Sequence, residues 1–172
     1  MNIIRYRGNK HFHIENYLKH IPSHKLYVEP FFGSGAMFIN KDLAHFSLLN
    51  DFNYLIYNFF KCLNYDVDKF IFKLRNTYYT QEILNEFTND LHFYEKKPEP
   101  DFDLAVKLFI VLRKTMKGSI DKVIGFSNII ALNKILSNNE FFIQLKNVVE
   151  KFRKSIICNF SKKVTEIVLL NY

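Results

Sequence analysis

Read from its first residues, the chain alternates short periodic stretches with turn signals. A helix is predicted over about 11–20, closed by Pro22. Leu26–Glu29 is a short apolar run bounded by turn residues, which predicts a strand. A Gly-x-Gly turn then opens a second helix, Phe46–Asn50 predicts a second strand, and a helix follows over 53–63. Strand, helix and strand in that order imply a parallel pair with a right-handed crossover. Beyond this point helical stretches dominate, over 66–76, 80–92, 101–116 and 139–152, with a break at Lys96-Lys97-Pro98-Glu99-Pro100. Lys117–Asn133 has glycines and mixed polarity and is expected to be an irregular loop. Residues 155–160, Ser-Ile-Ile-Cys-Asn-Phe, return to a strand pattern. Strand pieces from both ends must meet in one sheet, with a helical module projecting between them. The expected class is α/β, with residues 1–63 and 153–172 forming a half-domain around the sheet and 64–152 a mainly helical insertion.

Composition adds a partner to this picture. Hydrophobic residues make up 48% of 172 positions, enough for one packed domain with an insertion. Nineteen Phe and ten Tyr, with no Trp, exceed what a core of this size needs. Part of that load is expected on a surface that meets bases or another protein. The formal charge of +7 favours an anionic partner, most simply nucleic acid, although a merely basic surface fits too. Cys62 and Cys158 lie far apart and suggest buried thiols of a reducing compartment. Without an apolar signal region or an apolar run approaching roughly 18 residues, a cytoplasmic protein with no membrane contact is expected. His11 and His13, or His20 and His24, have ligand-like spacing, but no Cys or carboxylate cluster accompanies them, so no metal is expected.

The strongest chemical signal is Val28-Glu29-Pro30-Phe31-Phe32-Gly33-Ser34-Gly35-Ala36, an apolar strand ending in an acid and a glycine turn. Glycines let a ligand approach the backbone closely. Sixteen positions after Gly35, Asp51 ends the second strand, where a carboxylate can accept ribose hydroxyls.

Three stretches resemble the Dam-type, alpha-class DNA adenine N6-methyltransferases. Arg5-Tyr6-Arg7-Gly8-Asn9-Lys10 is similar to that family's Lys-Trp-Ala-Gly-Gly-Lys motif. Glu29–Gly35 resembles its Glu-Pro-Phe-x-Gly-x-Gly motif, and Asn50-Asp51-Phe52-Asn53 its Asp-Ile-Asn motif. The resemblance implies a Rossmann-like, S-adenosylmethionine-dependent methyltransferase sheet, here partial, and a helical target-recognition domain. It implies that Tyr6, Gly8 and Lys10 lie by the cofactor, Lys10 toward its methionine part. Glu29, Phe31, Gly33, Ser34 and Gly35 would shape the pocket floor. Asp51 would bind the ribose, while Phe52, Asn159 and Phe160 would lie by the adenine. Residues 64–152 occupy the place of the DNA-recognition domain, where Arg113, Lys114, Lys117 and Lys122, with Arg5, are the expected phosphate contacts.

One motif of that family is missing. Its members hold the target amino group with (Asp/Asn)-Pro-Pro-(Tyr/Phe/Trp), and the four prolines here, at 22, 30, 98 and 100, are never adjacent. No catalytic residue is therefore assigned. Without the rest of the sheet, Leu26–Glu29 is expected to present an open apolar edge that needs a cover. Two readings follow: a second methyltransferase subunit brings the motif, as in a two-polypeptide restriction-modification enzyme, or the chain is a relic that binds only DNA or cofactor. Retention of Lys10, Glu29, the glycines and Asp51 together favours the first.

Overall fold

The computed structural model describes residues 2–6, 13–115, 120 and 134–159. Its elements follow the order α1 (Ile14–Leu18), β1 (Leu26–Glu29), α2 (Ala36–Asn40), β2 (Phe46–Asn50), α3 (Tyr54–Tyr65), α4 (Val67–Arg75), α5 (Gln81–His92), α6 (Phe102–Lys114), α7 (Asn139–Phe152) and β3 (Ser155–Cys158). Among the described residues the sheet has the order β1-β2-β3, with both pairs parallel. Leu26 is registered with Phe46, and Leu48 with Ile156, so strands more than a hundred residues apart lie side by side. The expected parallel pair is present, and β1 stands at the edge of the described sheet.

Helix starts are set by side chains that accept orphan backbone N–H groups. Asn53 accepts from Leu55, Asp66 from Lys69, Thr80 from Ile83, Asp101 from Leu104 and Asn138 from Phe141. Asn58, buried on α3, reinforces one of them. Its Nδ2 donates to the Asp101 carbonyl at 2.8 Å, and its Oδ1 accepts from the Asp101 N–H at 2.9 Å. One amide thereby fixes where α6 begins against α3.

Successive strand residues face opposite sides. Tyr27, Ser47, Leu49 and Ile157 face the helices; Leu49 is fully buried, and Tyr27 and Ile157 pack on the core. Phe152 of α7 meets Phe32, Phe38 and Phe60 at ring separations of 6.1, 5.2 and 5.5 Å, closing α2, α3 and α7 over this face. The helical part continues the same packing. Phe59 of α3 lies against Phe70 of α4 and Phe109 of α6, at 5.5 and 6.3 Å. The core thus runs unbroken past residues 63 and 152, where the sequence suggested domain boundaries. No helix among the described residues is long and apolar enough to cross a membrane.

Candidate functional site

Parallel α/β sheets bind ligands beyond the carboxyl ends of their strands. Here those ends of β1 and β2 are laced together. The Phe32 N–H donates to the Asn50 carbonyl at 2.8 Å, and Asn50 Nδ2 donates back to the Pro30 carbonyl at 2.9 Å. Between them the chain turns on two glycines with left-handed backbones, Gly33 at φ 53° and Gly35 at φ 69°. A Cβ on Gly35 would stand 2.7 Å from Phe32 Cζ, so only glycine fits.

Asp51, 6% exposed, grips both loops. Its Oδ2 accepts from the Gly33 N–H at 2.6 Å and its Oδ1 from the Asn53 N–H at 2.9 Å. Burial pushes its carboxyl above the ordinary value, and these two bonds oppose that shift. Each carboxylate oxygen keeps a second lone pair for a further donor. Tyr6 lies over the turn, its Cδ1 within 3.5 Å of the position a Gly33 Cβ would take. Its hydroxyl accepts from Asn53 Nδ2 at 3.0 Å. From the third strand, Asn159 Nδ2 donates to the Asp51 carbonyl at 2.5 Å. Phe31 and Phe52 stand beside this centre, edge to face at 6.5 Å, 46% and 51% exposed. Exposed aromatics at a loop mouth are an available platform for a planar base.

The structure therefore brings Tyr6, Phe31, Gly33, Ser34, Gly35, Asp51, Phe52 and Asn159 to one place. Ser34 is buried within the turn. Glu29 differs in detail: its Oε2 accepts the Tyr27 hydroxyl at 2.9 Å on the helix-covered face. Burial, then the Glu29 charge, drives the Tyr27 phenol far above its usual range. Gly8, Lys10, Phe160, Lys117 and Lys122 lie outside the described residues. Asn53 and Asn50 were missed as site residues, although an Asn between a strand end and a helix is a readable N-cap signal.

Two of the expected phosphate contacts, Arg113 and Lys114, need correction. Arg5 is exposed. Arg113 Nη2 instead donates to the Asn2 carbonyl at 3.1 Å and to the Ile3 carbonyl, and its guanidinium lies 5.3 Å from the Phe109 ring and 5.7 Å from Phe141. Burial, with Arg5 nearby, lowers its pKa to about 10. Lys114 is 3% exposed, with Nζ 5.0 Å from the Tyr79 ring centre, and burial brings its pKa down to about 8. A cation spent on internal carbonyls, or sealed against a ring, is poorly placed to meet a phosphate.

A family model described as D12 class N6 adenine-specific DNA methyltransferase matches residues 6–171. Over 88 residues, the chain is 27% identical to proteins named DNA adenine methylase from two Vibrio cholerae serotype O1 strains, Classical Ogawa 395 and El Tor Inaba N16961. That stretch is 51% of this chain and 31% of each relative, so the chain matches under a third of their length.

Proposed function

This chain belongs to the D12 class N6 adenine-specific DNA methyltransferases, and we propose that it is the S-adenosylmethionine-binding and DNA-recognition subunit of an enzyme split between two polypeptides. The observation that carries the reading is Asp51, a buried carboxylate fixed by Gly33 and Asn53 at the ends of adjacent parallel strands. Its remaining lone pairs suit ribose hydroxyls, and the exposed Phe31 and Phe52 rings offer an apolar surface for an adenine ring. The glycine turn leaves no side chain between backbone and ligand at Gly33. These residues fit the cofactor, which supplies an electrophilic methyl group when bound.

The chain's own part in the reaction is positional. Asp51 orients the donor, Tyr6 and Asn53 hold the turn closed around it, and the helices from α4 to α7 present the DNA. In this reading the (Asp/Asn)-Pro-Pro-aromatic motif that holds N6 of an extruded adenine, which these 172 residues do not contain, comes from the companion polypeptide.

Co-expression with a polypeptide carrying that motif is the test, read as N6-methyladenine in DNA. Methylation is expected only when both chains are present. Cofactor affinity that persists while no pairing gives methylation would reduce the chain to a cofactor-binding relic.

A further inference from the structure

A parallel sheet is normally buried on both faces, because a one-sided cover leaves its apolar residues in water. Here the face opposite α2, α3 and α7 carries Leu26, Phe46 and Ile156 at 50%, 68% and 65% exposure. These residues come from all three strands, and with Leu48 they line a groove of about 430 Å³. Adjacent strands stand roughly 4.8 Å apart, so the apolar row is about 10 Å wide, close to the diameter of one helix with its side chains.

The border of the groove is basic. His45, Arg153 and Lys154 line it, and exposed Lys25 precedes Leu26; no carboxylate is among the lining residues. Arg153 reaches Glu150 at 3.1 Å with both side chains mostly exposed, a contact of little energetic weight. A second copy of this chain would bring two such borders together and be repelled. A helix with acidic flanks would be attracted.

We propose that this face is the docking surface for an acidic amphipathic helix of the companion polypeptide, with apolar side chains laid across Leu26, Phe46 and Ile156. The proposal names where the companion of the split enzyme sits, and rests on that reading to this extent. The Arg153 and Lys154 side chains then set orientation and partner choice, while the apolar row supplies affinity.

The test uses the full chain and two synthetic helices with the same apolar face, one flanked by Glu and one by Lys, read by fluorescence anisotropy. The Glu-flanked helix is expected to bind at least tenfold more tightly. Arg153→Glu and Lys154→Glu together should invert that order, and Phe46→Thr with Ile156→Thr should weaken the Glu-flanked helix at least tenfold. Equal affinities, or an order that survives charge reversal, would overturn the proposal. So would a concentration-dependent dimer lost in the Phe46→Thr variant, which gives the face to a second copy. Tighter binding by a Val168→Glu, Leu170→Glu chain would give it to the chain's own end and overturn it equally. Binding needs no methylation, so a companion that yields no methylated DNA while the helices behave as expected sinks the split enzyme and leaves an acidic-helix site standing.

Discussion

Gly33 and Asp51 are joined by a 2.6 Å hydrogen bond from the glycine N–H to Oδ2, tying the loop after β1 to the loop after β2. The same carboxylate reaches Asn53, so one side chain clamps both loops.

Replacing Asp51 therefore acts twice. Asp51→Ala is expected to lower S-adenosylmethionine affinity at least a hundredfold by calorimetry, and to cost about 1–3 kcal/mol of stability by stranding two N–H groups. Asp51→Asn keeps one acceptor and should lose less stability than affinity. Unchanged affinity in the alanine variant would remove Asp51 from the cofactor site.

The two glycines of the turn are not equivalent. At Gly35 an added methyl meets Phe32 at 2.7 Å on a left-handed backbone; at Gly33 the nearest atom is 3.5 Å away. Gly35→Ala should destabilise the chain by about 2–4 kcal/mol in thermal unfolding, Gly33→Ala by about 1. Equal losses would mean that the turn repacks.

Phe31 and Phe52 give the opposite contrast to Phe32. Alanine at either exposed ring should weaken cofactor binding about tenfold, as loss of a stacking surface does, and leave the melting temperature nearly unchanged. Phe32→Ala, inside the core, should cost about 3–5 kcal/mol.

Arg113 is expected to matter for stability and not for salt-dependent DNA binding. Arg113→Ala should lower the melting temperature, because the Asn2 and Ile3 carbonyls lose their donor. The slope of DNA affinity against salt should stay the same, since no phosphate contact is removed. A flatter slope would return Arg113 to the DNA surface.

Lys114 supplies the pH dependence. Its pKa falls from 10.5 unfolded to about 8 folded, because burial penalises the charged form. The stability it contributes is present above pH 10.5 and is lost as pH falls through 8, leaving the charged form at a cost at pH 7. Lys114→Met should raise the melting temperature at pH 7 by roughly 2–4 °C, the shift that about 1 kcal/mol gives in a chain this size. The gain should shrink by pH 10; a gain independent of pH would assign the effect to packing alone.

Local signals in the sequence carried much of this. β1, β2 and the helix over 139–152 fall where periodicity put them, because short apolar runs and capping residues report on their own neighbourhoods. Asp51 and the glycine turn were legible for the same reason. The fate of Arg113 was not. A basic residue at a helix end looks alike whether it meets solvent or a backbone carbonyl 110 residues away, and only the tertiary path of residues 2–3 decides it. The continuous core was hidden likewise: composition separates 64–152 from the rest, yet Phe59 and Phe109 ignore that division.

Residues 2–6 are fastened at both ends, by Arg113 at Asn2 and Ile3 and by Asn53 at Tyr6. During synthesis this strap is made before either of its anchors, and Arg113 follows it by more than a hundred residues, with β3 later still. Residues 2–6 must wait, undocked, for α6. The turn that Tyr6 covers is thus completed only after α6 has emerged, so this end of the sheet matures late in synthesis.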